Sequence, residues 1–261
     1  METVHSQDGT SIAYQKTGTG PALVLVHGST ADHTRWNSIL PALEKNFTVY
    51  AVDRRGRGNS GDSDTYELER EFEDVVAVVE AAGSHVNLLG HSFGALCAMD
   101  AALRTGRLSK LILYEPVFPV EGVELYEPGA RDKLEEIAKQ GDREELLTSF
   151  FRDIVRMPES EITLLKGEPA WKARISAAHT LVREMADEDY RFEPARFKDF
   201  TIPTLLLLGE KSPLFLKKPT EKLASVLPNN KVVILNGQGH AAMSTAPELF
   251  IREVMQFLLN E

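Results

Sequence analysis

The chain has 261 residues, 43% hydrophobic and 26% charged, the proportions of an ordinary globular protein long enough to bury a substantial core. Its 29 Lys and Arg against 39 Asp and Glu leave a net charge of −10, which argues against nucleic acid as a partner, because phosphate binding runs on basic side chains. The same balance argues against docking on an anionic membrane surface. Cys97 is the single cysteine, so no internal disulfide can form. The opening METVHSQDGT has no apolar leader, and runs such as Leu205-Leu206-Leu207-Leu208 fall far short of the ~18 residues a membrane span needs. The expectation is a soluble, cytoplasmic protein whose partner is a small molecule.

Residues 3–5 and 12–14 flank Asp8-Gly9, a strong hairpin signal. Residues 22–26 then form a continuous apolar run, the signature of a strand buried on both faces of a parallel sheet. It recurs at 48–52, 86–89, 111–114, 204–208 and 232–235. Helical spacing fills the intervals: Trp36, Ile39, Leu40 and Leu43; Phe72, Val75, Val76 and Val79; residues 95–103; and Phe250, Val254, Phe257 and Leu258 behind Pro247. Alternating strands and helices predict an α/β fold, a mostly parallel, doubly wound, eight-stranded sheet with helices on both faces. The rhythm breaks after the sixth strand. Residues 131–139, 144–155 and 171–185 read as helices, and segment 118–199 carries 19 acidic against 13 basic side chains, a net of −6. A helical insertion leaving a strand's carboxyl end reads as a cap at 118–199 over a core of 1–117 and 200–261.

Three short motifs carry the chemistry. Gly90-His91-Ser92-Phe93-Gly94 lies between a strand and a helix, a G-x-S-x-G turn that exposes Ser92 at a helix N-terminus. His240, in Gly237-Gln238-Gly239-His240 just past the eighth strand, supplies the base a serine hydroxyl needs at neutral pH. His27-Gly28-Ser29-Thr30 follows the third strand, where the Ser29 and Phe93 amides converge as a candidate oxyanion hole. Phe93, Phe118, Phe151 and Trp171 are candidates for an apolar acyl pocket, and Cys97 reads as a packed core thiol.

With these residues the chain resembles the α/β-hydrolase superfamily, in its small, capped, esterase-like branch, over essentially its whole length. The order Ser92…His240, the His27-Gly28 loop and Asp53-Arg54-Arg55-Gly56-Arg57-Gly58-Asn59-Ser60 all match, the last as a structural turn. The acid departs from the pattern. Relatives usually carry Asp in a G-x-x-D stretch after the penultimate strand, where this chain has Gly209-Glu210-Lys211-Ser212. Some capped relatives place the acid at the end of the sixth strand instead, which here is Glu115 in Tyr114-Glu115-Pro116; Glu210 is the alternative.

The resemblance implies a serine hydrolase acting on a small carboxylic ester with an apolar acyl group. Ser92, His240 and Glu115 form its triad, Ser29 and Phe93 its oxyanion hole, and no cofactor or metal is needed. Serine at the turn disfavours dehalogenase and epoxide-hydrolase chemistry, which use a carboxylate nucleophile in relatives. The competing readings are lactone opening, perhydrolysis or C–C cleavage on the same residues, or a non-catalytic binding protein on the same fold. The acidic helical segment disfavours polyanionic substrates, a far-field argument that one local arginine overturns.

Overall fold

The structure, a computed structural model, describes residues 1–157, 159–168, 170–185 and 190–260, apart from the side chain of Glu161. Eight strands form one sheet: β1 (Glu2–His5), β2 (Ser11–Gly18), β3 (Ala22–Val26), β4 (Thr48–Val52), β5 (Val86–His91), β6 (Leu108–Tyr114), β7 (Thr204–Gly209) and β8 (Asn230–Leu235). Their spatial order is β1-β2-β4-β3-β5-β6-β7-β8. β2 runs antiparallel to both β1 and β4, and the remaining pairs are parallel. This is the mostly parallel sheet that the apolar runs predict.

Helices α1 (Leu40–Leu43), α2 (Leu68–Ala82) and α3 (Phe93–Ala102) precede β6. Between β6 and β7 come α4 (Ala130–Gln140), α5 (Arg143–Ser149), α6 (Glu159–Lys166), α7 (Trp171–Ala177) and α8 (Leu181–Glu184). The chain closes with α9 (Leu214–Ala224), α10 (Ala242–Thr245) and α11 (Pro247–Leu259).

The period-2 alternation of the strands sorts their side chains into two layers. Val24 and Val26 face α2 and α3, with Val75, Val79 and Leu96. Leu23 and Leu25 face the other side, with Trp36, Leu43, Phe250 and Val254. The helices between β6 and β7 build a third apolar cluster of their own around Leu134, Leu147, Phe151, Trp171 and Leu181. The ends of that segment pack differently. Phe118, Tyr190 and Phe197 join the sheet layer beneath α2 and α3.

Several elements differ from the sequence reading for local reasons. Trp36, Ile39, Leu40 and Leu43 are all buried, yet a 3-10 turn at His33–Trp36 and α1 replace one continuous helix. Pro41 has no amide to extend a helix backward, so it starts a new one. The helix expected over 171–185 breaks at a 3-10 turn, Ala178–Thr180, where the Thr180 hydroxyl donates to the Ala177 carbonyl at 2.7 Å and competes with the helical ladder. The helix expected over 144–155 ends in a π-helical turn, Phe150–Ile154. Pro219 hid α9, which tolerates it internally. β8 forms the sheet edge, so Val232 and Ile234 are exposed rather than buried on both faces.

The arginine-rich turn after β4 is held by buried ion pairs. Arg54 meets Glu71 at 2.8 Å, and Arg55 grips Asp74 with two nitrogens, each at 2.7 Å. Asp53, fully buried, accepts from the His33 amide (2.8 Å), the His33 ring (2.7 Å) and the Asn59 amide (2.9 Å). Burial pushes its carboxyl up, but these hydrogen bonds outweigh burial and hold it below the usual carboxylate range. The stabilisation is therefore complete above a pH of about 4 and lost as pH falls below it. Urea unfolding between pH 4 and pH 2 should show stability falling more steeply in the wild type than in Asp53→Asn, itself less stable throughout; equal slopes would exclude this role for Asp53.

Candidate active site

Ser92 sits between β5 and α3 with φ 57° and ψ −126°, a conformation closed to most L-residues unless the surroundings impose it. The surroundings are close backbone contacts. A Cβ on Gly94 would lie 2.3 Å from the His27 carbonyl oxygen, and one on Gly28 would lie 2.8 Å from the Ser92 Cβ. Glycine at these positions lets the ends of β3 and β5 meet the start of α3, and the Ser92 amide donates to the Tyr114 carbonyl at 2.9 Å. Among the described residues, the amides of Ser29 and Phe93 donate to no protein acceptor. Both residues line the cavity that Ser92 and His240 also line.

Glu115 follows β6 directly, is fully buried and has φ 49°, the left-handed region for a non-glycine residue. Its two oxygens serve different elements. Oε1 accepts from the Gly209 amide at the end of β7 (2.6 Å), and Oε2 contacts His240 Nδ1 beyond β8. With Nδ1 engaged, Nε2 is the nitrogen left to the cavity. The His240 loop is fixed from behind by Tyr114, whose hydroxyl donates to the Gly239 carbonyl and accepts from the Ala242 amide at 3.2 Å. Glu210 is exposed and braces the same loop from outside, its Oε2 taking the Gly237 amide at 2.7 Å. Ser212, where relatives carry the acid, is buried with an unpartnered hydroxyl.

Two further histidines shape the site. The His91 ring lies tilted, its centroid 4.5 Å from that of the His240 ring, and donates from Nε2 to the His240 carbonyl at 2.8 Å. Burial, then the neighbouring His240 and Arg35, drive its pKa well down, so it stays neutral beside His240. His27 is likewise driven down by burial and by Arg54. It donates from Nδ1 to the Gly28 carbonyl (2.7 Å) and accepts the Arg54 amide on Nε2 (3.2 Å). That ring ties the Gly28-Ser29 loop to the turn after β4. Asp32, His33 and Asp53 bring ligand-type atoms within 4.8 Å of one another, but Asp53 spends its oxygens on the hydrogen bonds of the turn.

The cavity measures about 230 Å³. Phe93 and Phe151 line it, as the sequence reading expects; Phe118 and Trp171 do not. Phe118 stacks on Phe192 at 4.7 Å in the sheet layer, and Trp171 packs behind Phe151 with its indole N–H on Glu144 at 3.1 Å. The apolar lining comes instead from Phe150, Ile154, Leu165, Phe215 and Leu216. Arg35, Arg174 and Glu184 also line it, and sequence reasoning missed all three. Arg174 and Glu184 lie on short helices of the segment between β6 and β7, where a charge normally marks a solvated face. Glu184 is buried against Arg54 (2.6 Å) and Arg57 (2.5 Å). Cys97 is buried in α3, its thiol pKa pushed up by burial.

Residues 23–253 match the model of the alpha/beta hydrolase family. The chain is 26% identical to a 2-(acetamidomethylene)succinate hydrolase of Mesorhizobium japonicum, covering 92% of this chain and 89% of that protein. It is 27% identical to a pimeloyl-[acyl-carrier protein] methyl ester esterase of Photobacterium profundum, covering 95% and 99% respectively. Among solved structures, an alpha/beta hydrolase from Sphaerobacter thermophilus superposes with a TM-score of 0.87 at 33% identity, covering 98% of this chain and all of that one. The chain belongs to the alpha/beta hydrolase family.

Proposed function

We propose that the protein is a serine esterase with the triad Ser92, His240 and Glu115, cleaving a small carboxylic ester through an acyl-enzyme. The observation that carries the reading is the buried Glu115 carboxylate on His240 Nδ1, which leaves Nε2 free for the cavity lined by Ser92. A methyl ester esterase among the relatives supports an ester as the bond broken.

In this reading Nε2 takes the Ser92 proton as Oγ attacks the carbonyl carbon. The Ser29 and Phe93 amides receive the oxyanion, whose charge also lies at the amino end of α3. The imidazolium, stabilised by Glu115, protonates the departing alcohol, and water then repeats the sequence to release the acid. The helices of segment 118–199 act as a cap, supported by the shared lining of the cavity from Phe150, Phe151 and Ile154 above and Ser92 and His240 below.

Replacing Ser92 by Ala should reduce turnover of 4-nitrophenyl butyrate to background with the melting temperature kept, and abolish labelling by a fluorophosphonate; full activity in purified variant would refute the nucleophile. Glu115→Gln leaves an amide that cannot stabilise imidazolium and favours the wrong tautomer. Its kcat should fall by ~10³–10⁴, while Glu210→Gln, which touches only the loop's outer face, should change kcat by less than about tenfold. The opposite ranking would move the acid to Glu210.

A further inference from the structure

Arg35, on the 3-10 turn after β3, and Arg174, on α7, both line the cavity that holds Ser92 and His240. Both also line an adjoining cavity of about 330 Å³, together with Thr30 and Ala31. The two guanidinium groups thus stand where the spaces meet, one from the sheet side and one from the helices above.

Their partners are neutral. Arg35 donates to the Ser244 hydroxyl at 3.3 Å and to the Met243 sulfur at 3.2 Å. Arg174 donates from one nitrogen to the carbonyl and hydroxyl of Thr30, at 3.1 and 3.2 Å, and its Nε is buried with no partner. Among the described residues, no carboxylate lies within ion-pair distance of either. The arginines of the turn after β4 differ. Arg54 and Arg57 share Glu184, and Arg55 is closed by Asp74 and Asp8.

The charged groups acting on the pair are few. Glu168 and Asp32 favour the charged form of Arg174, and Glu168 and Tyr114 that of Arg35. Burial and the neighbouring Arg174 push Arg35 down to about 10, which still leaves it protonated at neutral pH. Asp32 and Glu168 line the adjoining cavity, while Glu184, the carboxylate lining the cavity of Ser92, is paired with Arg54 and Arg57. Two cations whose hydrogen-bond partners are neutral, beside a mostly apolar cavity, are an arrangement that a bound anion stabilises, and a guanidinium fork matches a planar carboxylate.

We propose that the substrate is an ester bearing a free carboxylate, which Arg35 and Arg174 hold at the junction of the two cavities while the apolar part lies against Phe150, Phe151 and Phe215. The proposal rests on the serine-esterase reading and names its substrate class. The net −6 of the helical segment does not oppose it, because distant exposed charges are screened by salt while this pair acts at contact.

The test compares kcat/KM for monoethyl glutarate with that for diethyl glutarate. Wild type should favour the half-ester at least tenfold, and Arg35→Gln and Arg174→Gln should each lower that ratio about 10- to 100-fold, the scale of a charge-assisted hydrogen bond. The ratio cancels general damage to the fold, and Arg174→Lys should retain part of the preference. Turnover of the diester with no preference for the half-ester, or a preference unchanged in both Gln variants, overturns the carboxylate site and leaves the esterase reading standing. Absence of turnover on both esters with no fluorophosphonate labelling overturns the esterase reading instead. Calorimetry with glutarate then decides the site: binding lost in the Gln variants supports it, and no binding to wild type overturns it.

Discussion

The arrangement of the site depends on one buried carboxylate. Glu115 has no solvent to stabilise its charge, so its oxygens must be met by protein donors. They are met by the Gly209 amide and the His240 ring, which belong to the ends of two other segments. Satisfying that group therefore draws the carboxyl ends of β6 and β7 and the loop after β8 to one point. The left-handed backbone at Glu115 is the local strain accepted for aiming the side chain there.

The elbow at Ser92 is the complementary constraint, made by contact rather than by charge. β3, β5 and α3 approach until no side chain fits at Gly28 or Gly94. Crowding holds Ser92 in its unfavourable conformation, and hydrogen bonding holds His240 opposite. The neutral His91 and His27 rings fill the space around both, each kept uncharged by burial; His27 spends both nitrogens on backbone and His91 spends Nε2.

Charge is distributed in two ways around the same cavity. Beneath it, Arg54, Arg55 and Arg57 are locked to Glu71, Asp74 and Glu184 and join the turn after β4 to α2 and α8. Arg54 also lies 4.4 Å over the Phe93 ring, so this network supports a residue that lines the cavity. Beside it, among the described residues, the hydrogen bonds of Arg35 and Arg174 go to hydroxyl, carbonyl and sulfur. The first group is structural in its geometry; the second is arranged for a ligand.

Local sequence was sufficient for the sheet and for the pieces of the site. A strand buried on both faces must be a continuous apolar run, and a serine turn packed this tightly must be flanked by glycine, so both were legible residue by residue. Glu115 was legible as a candidate because it directly follows a strand, before Pro116, at the point where some capped relatives carry the acid. Only the tertiary structure decided that its carboxylate reaches His240 while Glu210 faces outward and Ser212 has no partner. It alone put Phe118 and Trp171 behind the cavity wall, and Arg35 and Arg174 in it. The reason is physical: a strand's period fixes which face a residue takes, whereas a short helix turns by how its cluster packs. For residues 118–199 that packing is set by contacts among distant segments, which no local pattern encodes.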